Sequence, residues 1–87
     1  MMHQDIEPIH PLTAKKRLEY LTGERWSLKR LGEEMGDYAI STTLKWSSGE
    51  RNPSMRSKKD AARLLAHYES KFEKAIGNAR DAAASIA

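Results

Sequence analysis

Between Thr42 and Ser54 the chain reads TTLKWSSGERNPS, a run of hydroxyl, amide and cationic side chains around one tryptophan. Short hydroxyls and a lysine displayed on a helix can reach base edges in a DNA major groove about 12 Å wide. Lysine favours guanine O6 and N7, serine and threonine are permissive, and the threonine methyl can touch thymine. Charge gathers in the same place. From Lys45 to Lys59 there are five basic residues, Lys45, Arg51, Arg56, Lys58 and Lys59, against one acidic, Glu50, whereas Glu33, Glu34 and Asp37 cluster just before them. This local excess says more about a polyanionic partner than the net charge of +3 does, because many small basic proteins share such a total.

Other chemistries find few residues to carry them. The chain has no cysteine, which excludes disulfides and thiolate metal sites and points to a reducing, intracellular setting. His3, His10 and His67 are too scattered for a ligand set, so neither a metal nor another cofactor is expected. Glu33 and Glu34 are adjacent and point apart on a helix, which is poor geometry for a paired-carboxylate catalyst. No P-loop, nucleophile elbow or Ser/His/Asp set is visible, and 87 residues are few for a catalytic pocket. Neither an enzyme nor a small-molecule binder is expected. No apolar run approaches the roughly 20 residues that span a bilayer, and the opening MMHQDIEPIHP lacks the basic start and apolar centre of a signal peptide. A cytoplasmic protein with no membrane partner is the expectation.

The elements that must position the polar run follow from periodicity and caps. A chain of 87 residues buries only about 60% of its unfolded surface and has room for one core. Hydrophobic residues at 39% and charged residues at 31% suit a small helical domain with a thin core, which dimerisation would supplement. Residues 1–11 carry Pro8 and Pro11 without periodicity and read as a flexible arm, 12–76 hold the periodic segments, and 77–87 form an alanine-rich tail, either frayed helix or disorder. Thr13 can cap a first helix in which Ala14, Leu18 and Leu21 share a face and Gly23 terminates, while Lys15, Lys16 and Arg17 fan outward.

Ser27 can cap a second helix, with Trp26 stapled to Leu31, Met35 completing the apolar face and Gly36 closing it. Gly32 inside that helix costs about 1 kcal/mol relative to alanine, a cost that a close approach by another helix would explain. The segment DYAISTTLKWSS has either Asp37 or Ser41 as its N-cap and ends at Gly49. After Pro53, SKKD matches a capping box starting at Ser57, with Ser54 as the earlier alternative. Ala61, Leu65, Tyr68, Phe72 and Ile76 then recur as a long apolar stripe that Gly77 is expected to interrupt.

Two short helices in succession, the second mostly polar, form a helix-turn-helix pattern. A helix that served only the core would carry three or four apolar positions per two turns, whereas Ser41, Thr42, Thr43, Lys45, Ser47 and Ser48 leave most of this one to a partner. The pattern W-x-x-G-x-R-N-P, present as Trp46, Gly49, Arg51, Asn52 and Pro53, together with Leu31, Gly32, Met35 and Gly36, resembles the Cro and lambda-repressor-like (XRE-type) family over roughly residues 13–68. That resemblance implies an all-α fold, a compact bundle of four or five helices with a long C-terminal helix. Its third helix would dock in the major groove, with Trp46 as the buried anchor beside Leu31 and Met35.

By the same resemblance Ser41, Thr42 and Lys45 read bases, joined by Tyr38 if the helix begins early, and Arg51, Asn52 and Arg56 hold phosphates. Two features depart from the family pattern. The stretch from Gly36 to Trp46 is one residue longer, and Leu28 stands where the family often has a phosphate-holding glutamine, which leaves that role to Ser27 or Lys29. The implied function is sequence-specific binding of double-stranded DNA by a transcriptional regulator, a repressor acting as a homodimer on a palindromic operator. Such free-standing domains are common in phages, plasmids and other mobile elements. Phe72 and Ile76 either pack on their own bundle or form the dimer contact. The rival readings are a protein-interaction module, antitoxin-like or adaptor, whose long final helix holds a partner, and an excisionase-like architectural DNA binder.

Overall fold

The first regular element begins three residues earlier than the sequence suggests. In the computed structural model, which describes residues 7–86 and side chains as far as residue 73, α1 spans Pro11–Thr22 and His10 is its N-cap, with Nδ1 accepting from the Leu12 amide at 3.1 Å. Thr13 is therefore a helical residue, exposed, and not the cap. Proline explains the shift, because its ring presets a helical φ and it has no N–H to satisfy at the first position. The chain ahead of the helix is fastened as well. The Ile9 amide donates to the Lys58 carbonyl at 3.2 Å, and the Ile9 side chain packs on the core.

Gly23, at φ 71°, ends α1 in the left-handed conformation as its position predicts, donating to the Glu19 carbonyl. Thr22 and Glu19 then secure the connection to the next helix. Trp26 donates through Nε1 to Thr22 Oγ1 at 3.3 Å and through its amide to Glu19 Oε2 at 3.0 Å. That amide, helped by Lys15, holds the Glu19 carboxyl below its ordinary value.

Helix α2, Leu28–Gly36, starts as expected at Ser27, whose Oγ accepts from the Arg30 amide at 3.0 Å. Trp26, Leu31 and Met35 all enter the core. Helix α2 ends at Gly36 as expected, with the glycine at φ 144°, and Asp37, at φ 59°, follows it as the left-handed cap. Asp37 is thereby committed to the turn and does not cap the next helix.

Gly32 is buried for a visible reason. A Cβ there would lie 2.8 Å from the Tyr38 carbonyl oxygen and 3.0 Å from Thr43 Cγ2, so the turn and the following helix both press against it. Helix α3, Ile40–Ser48, has Ala39 as N-cap and no side-chain cap bond, so neither Asp37 nor Ser41 fills that position. Gly49, at φ 80°, closes it.

Helix α4 spans Met55–Ile86. Of the two candidate caps Ser54 is used, its Oγ accepting from the Ser57 amide at 3.1 Å, while Ser57 sits inside the helix and is buried. Asp60 does not complete a capping box; it accepts from Tyr38 at 2.6 Å and from Arg63 at 2.9 Å. Gly77 does not interrupt α4. One glycine costs about 1 kcal/mol in a helix, and the alanines that follow it are the best helix formers.

The described residues thus form four helices and no strand. Helix α4 packs against α1 and α2, and α3 packs on α2. Ala14, Leu18, Trp26, Leu31, Met35, Trp46, Ala61, Leu64 and Leu65 make one buried cluster. Leu64 widens the predicted α4 stripe, Tyr68 and Phe72 are half-buried, and the Ile76 side chain lies outside the described residues. No helix among the described residues is long and apolar enough to cross a membrane.

A polar network ties α2 to α4. The Arg30 guanidinium lies 3.8 Å from the Trp26 ring centroid and pairs with Glu34 at 2.8 Å and Glu24 at 3.2 Å. The Tyr68 hydroxyl donates to Glu34 at 2.6 Å. Burial pushes the Glu34 carboxyl up, but Arg30 and Tyr68 together outweigh it and leave the pKa below the ordinary 4.5. A carboxylate whose folded pKa is lowered stabilises the fold above its unfolded pKa, and that contribution disappears as the pH falls through the folded value. Glu34→Gln should therefore lower the melting temperature at neutral pH, and the gap to wild type should close below pH 4.5. Thermal melts across that range check this; a gap independent of pH would remove Glu34 from the linkage.

Candidate nucleic-acid interface

Helix α3 is positioned by two inward side chains. Thr43 is fully buried and Trp46 is 4% exposed. Thr43 tolerates burial because its hydroxyl donates to the Ile40 carbonyl at 3.0 Å, while its methyl lies toward Gly32. Trp46 packs its ring on Tyr38, with centroids 5.5 Å apart and planes tilted by 55°. The Tyr38 hydroxyl reaches across to Asp60 on α4. Burial first, and then the Asp60 carboxylate, push its pKa above the ordinary value. The turn between α2 and α3 is thus strapped to α4 by Tyr38, and α3 is held with one face against α2.

The opposite face is open. At about 100° per residue, Ser41 and Ser48 sit opposite the buried Thr43 and Trp46, and both are exposed. Lys45 and Thr42 flank one side, half-buried, and Ile40, Leu44 and Ser47 occupy the other, exposed. Of the expected base readers, Ser41 is therefore central and Lys45 and Thr42 lie at an edge. Tyr38 stands behind the helix with its hydroxyl engaged.

The loop after α3 continues the polar surface. Ser48 Oγ donates to the Lys45 carbonyl and accepts from the Glu50 amide, and the Arg51 amide also donates to the Lys45 carbonyl at 3.2 Å. Pro53 is buried and pins the loop, leaving Arg51, Asn52 and Arg56 exposed. Ser27 and Lys29 are exposed at the start of α2, with the Ser27 oxygen already accepting its cap bond.

Ion pairing separates the cations into two groups. Lys15, Arg30 and Arg63 have carboxylate partners. Among the described residues Lys29, Lys45, Arg51, Arg56, Lys58 and Lys59, near α3 and its flanks, form no ion pair, and neither do Lys16, Arg17, Arg25 and Lys71 elsewhere on the surface. Their charge is available to an external anion, because no paired carboxylate cancels their field locally.

Two sets of residues escape a sequence reading. Ile40 and Leu44, apolar residues that the periodicity assigns to neither face, are 49% and 50% exposed, whereas Thr43, counted among the residues left to a partner, is fully buried. Asp60, which resembles half of a capping box, instead carries the Tyr38 strap. The only local hint of the first is the three-residue step from Thr43 to Trp46, which is incompatible with burying Ile40 and Leu44 as well; nothing local signals the second. Among the described residues no group of three or more histidines and carboxylates is placed to hold a metal ion. Compared with protein families, curated proteins and solved structures, the chain matches none.

Proposed function

We propose that this chain is a sequence-specific double-stranded DNA-binding regulator of the Cro and lambda-repressor-like kind, a repressor that occludes its operator. One observation carries the reading: α3 turns an exposed face outward between cations that have no carboxylate partner among the described residues. A helix so displayed fits a major groove, and the flanking cations suit the phosphates on either side. Ser41 and Lys45 read base edges, with Thr42 at the margin. Arg51, Asn52 and Arg56 hold one strand's phosphates, and Ser27 with Lys29 approach the other. Tyr38, bound to Asp60, is a strut for the turn and not a base reader. The chain acts as a homodimer on a palindromic site, with the stripe through Phe72 and Ile76 as the contact; α4, at 32 residues, is about 48 Å long and reaches past the bundle.

Salt provides the test. Three to five phosphate contacts from each copy make about six to ten per dimer, which predicts a roughly 10³- to 10⁵-fold loss of affinity between 50 and 200 mM salt. Selection of bound sites from random DNA, followed by titration at several salt concentrations, checks it; a chain that protects no defined site overturns the reading. Lys45→Ala should weaken each half-site by about 1 to 3 kcal/mol while sparing random DNA, and Arg51→Ala, which removes one contact from each copy, should weaken both and reduce the salt slope by about 2. Equal losses on selected and random DNA for both variants would remove those roles.

A second reading, a protein-interaction module, is favoured by Tyr20, 92% exposed on α1 above a groove that includes Leu21 and Leu65. An apolar interface there would be nearly insensitive to salt, which separates it from the first.

A further inference from the structure

We infer that Ile40 and Leu44 form an apolar reading edge on α3 that recognises the 5-methyl groups of thymine in the major groove. The inference rests on the DNA-binding reading above and deepens it by naming a base. Both side chains are about half exposed on a helix whose inward positions are already filled by Thr43 and Trp46. Neither belongs to the buried cluster of the described residues. They are four residues apart, so they stand one above the other with Cβ atoms about 5 to 6 Å apart and form a continuous ridge.

What surrounds the ridge decides its occupant. Ser41 and Ser48 lie beside it and Lys45 beyond them, while Arg51 and Arg56 are exposed in the loop and at the start of α4 with no ion pair among the described residues. A partner complementary to this face is a polyanion that also presents apolar groups between its hydrogen-bonding edges. Duplex DNA meets that description at thymine, whose C5-methyl is the apolar feature of the major groove. Base pairs stack about 3.4 Å apart along each strand, so a ridge of this length reaches methyls on two neighbouring pairs. An RNA duplex has no such methyl, and its major groove is too deep and narrow for side chains to read.

The experiment uses the full chain and its selected duplex, with each thymine of the half-site replaced in turn by deoxyuridine, which removes the methyl and nothing else. Wild type should lose roughly 4-fold in affinity at one or two positions, the effect of one buried methylene-sized group, and be indifferent at the rest. The Ile40→Ala, Leu44→Ala double variant should bind the thymine and deoxyuridine duplexes equally while keeping its melting temperature, since neither side chain is in the core. Wild-type binding that ignores every methyl overturns this inference and leaves the DNA-binding reading standing; failure to bind any duplex removes both. Discrimination that persists in the double variant, or DNA affinity unchanged by it, assigns the ridge to something other than thymine.

Discussion

Trp46→Ala should lower the stability of the domain by about 3 to 5 kcal/mol, the range for deleting a large aromatic from a core. The residue is 4% exposed, shares the buried cluster with Leu31 and Met35 of α2, and packs against the tilted ring of Tyr38. Its removal leaves a cavity behind α3 and frees one side of the Tyr38 strap. Small α3 has only Thr43 and Trp46 as buried residues, so nothing else on the helix can take over its anchoring. Each kcal/mol corresponds to roughly 4 to 8 °C in a domain of this size, and the total stability of such a chain is itself only about 4 to 13 kcal/mol. Thermal or urea melts measure the effect. A variant with an unchanged midpoint would show that the indole does not hold the fold, and with it the account of how α3 is positioned would fall.

Gly32→Ala is the second large effect, and its sign is informative. At an unobstructed helical position this change should stabilise by about 1 kcal/mol through helix propensity. Here the added methyl would meet the Tyr38 carbonyl at 2.8 Å and Thr43 Cγ2 at 3.0 Å. The first is backbone and cannot rotate away, so the turn must shift and α3 must follow it. Overpacking of this kind costs about 1 to 3 kcal/mol, and the Tyr38 to Asp60 hydrogen bond of 2.6 Å is drawn into the same displacement. Destabilisation measured by chemical denaturation is the expected outcome; stabilisation would mean that α2 and the turn do not touch as closely as the distances state. On the DNA-binding proposal the same variant should also lose affinity for its selected site, because the displaced element is the one that reads bases.

Much of the fold was legible because its determinants are local. Gly23 and Gly49 stand where the chain must turn left-handed, and Ser27 supplies an oxygen to an amide three residues on. Trp26, Leu31, Met35, Trp46, Ala61 and Leu65 are all buried, as their spacing suggests. The misreadings share a cause. His10, not Thr13, capping a helix that opens on Pro11, and Ser54, the earlier alternative, in place of Ser57 each depended on choosing between residues three positions apart of similar capping ability. Gly77 does not break α4, because its propensity cost is small beside the helix-forming alanines that follow.

For the candidate site, the sequence alone determined that a short polar helix bounded by Gly49 would stand next to a concentration of Lys and Arg, and that a tryptophan would anchor it from behind. It could do so because composition, helical period and capping chemistry act between residues within a few positions of one another. Only the tertiary structure decided the rotation of that helix, since Ile40 with Leu44 and Thr43 with Trp46 competed for the inside. Thr43 and Trp46 face α2, where Gly32 admits the threonine methyl, and Ile40 and Leu44 are left outside. It also decided which cations are free, because Arg30 is neutralised by Glu24 and Glu34 while Tyr68, 34 positions from Glu34, closes the network. Pairings across such separations depend on which helix faces meet, and no local pattern records that.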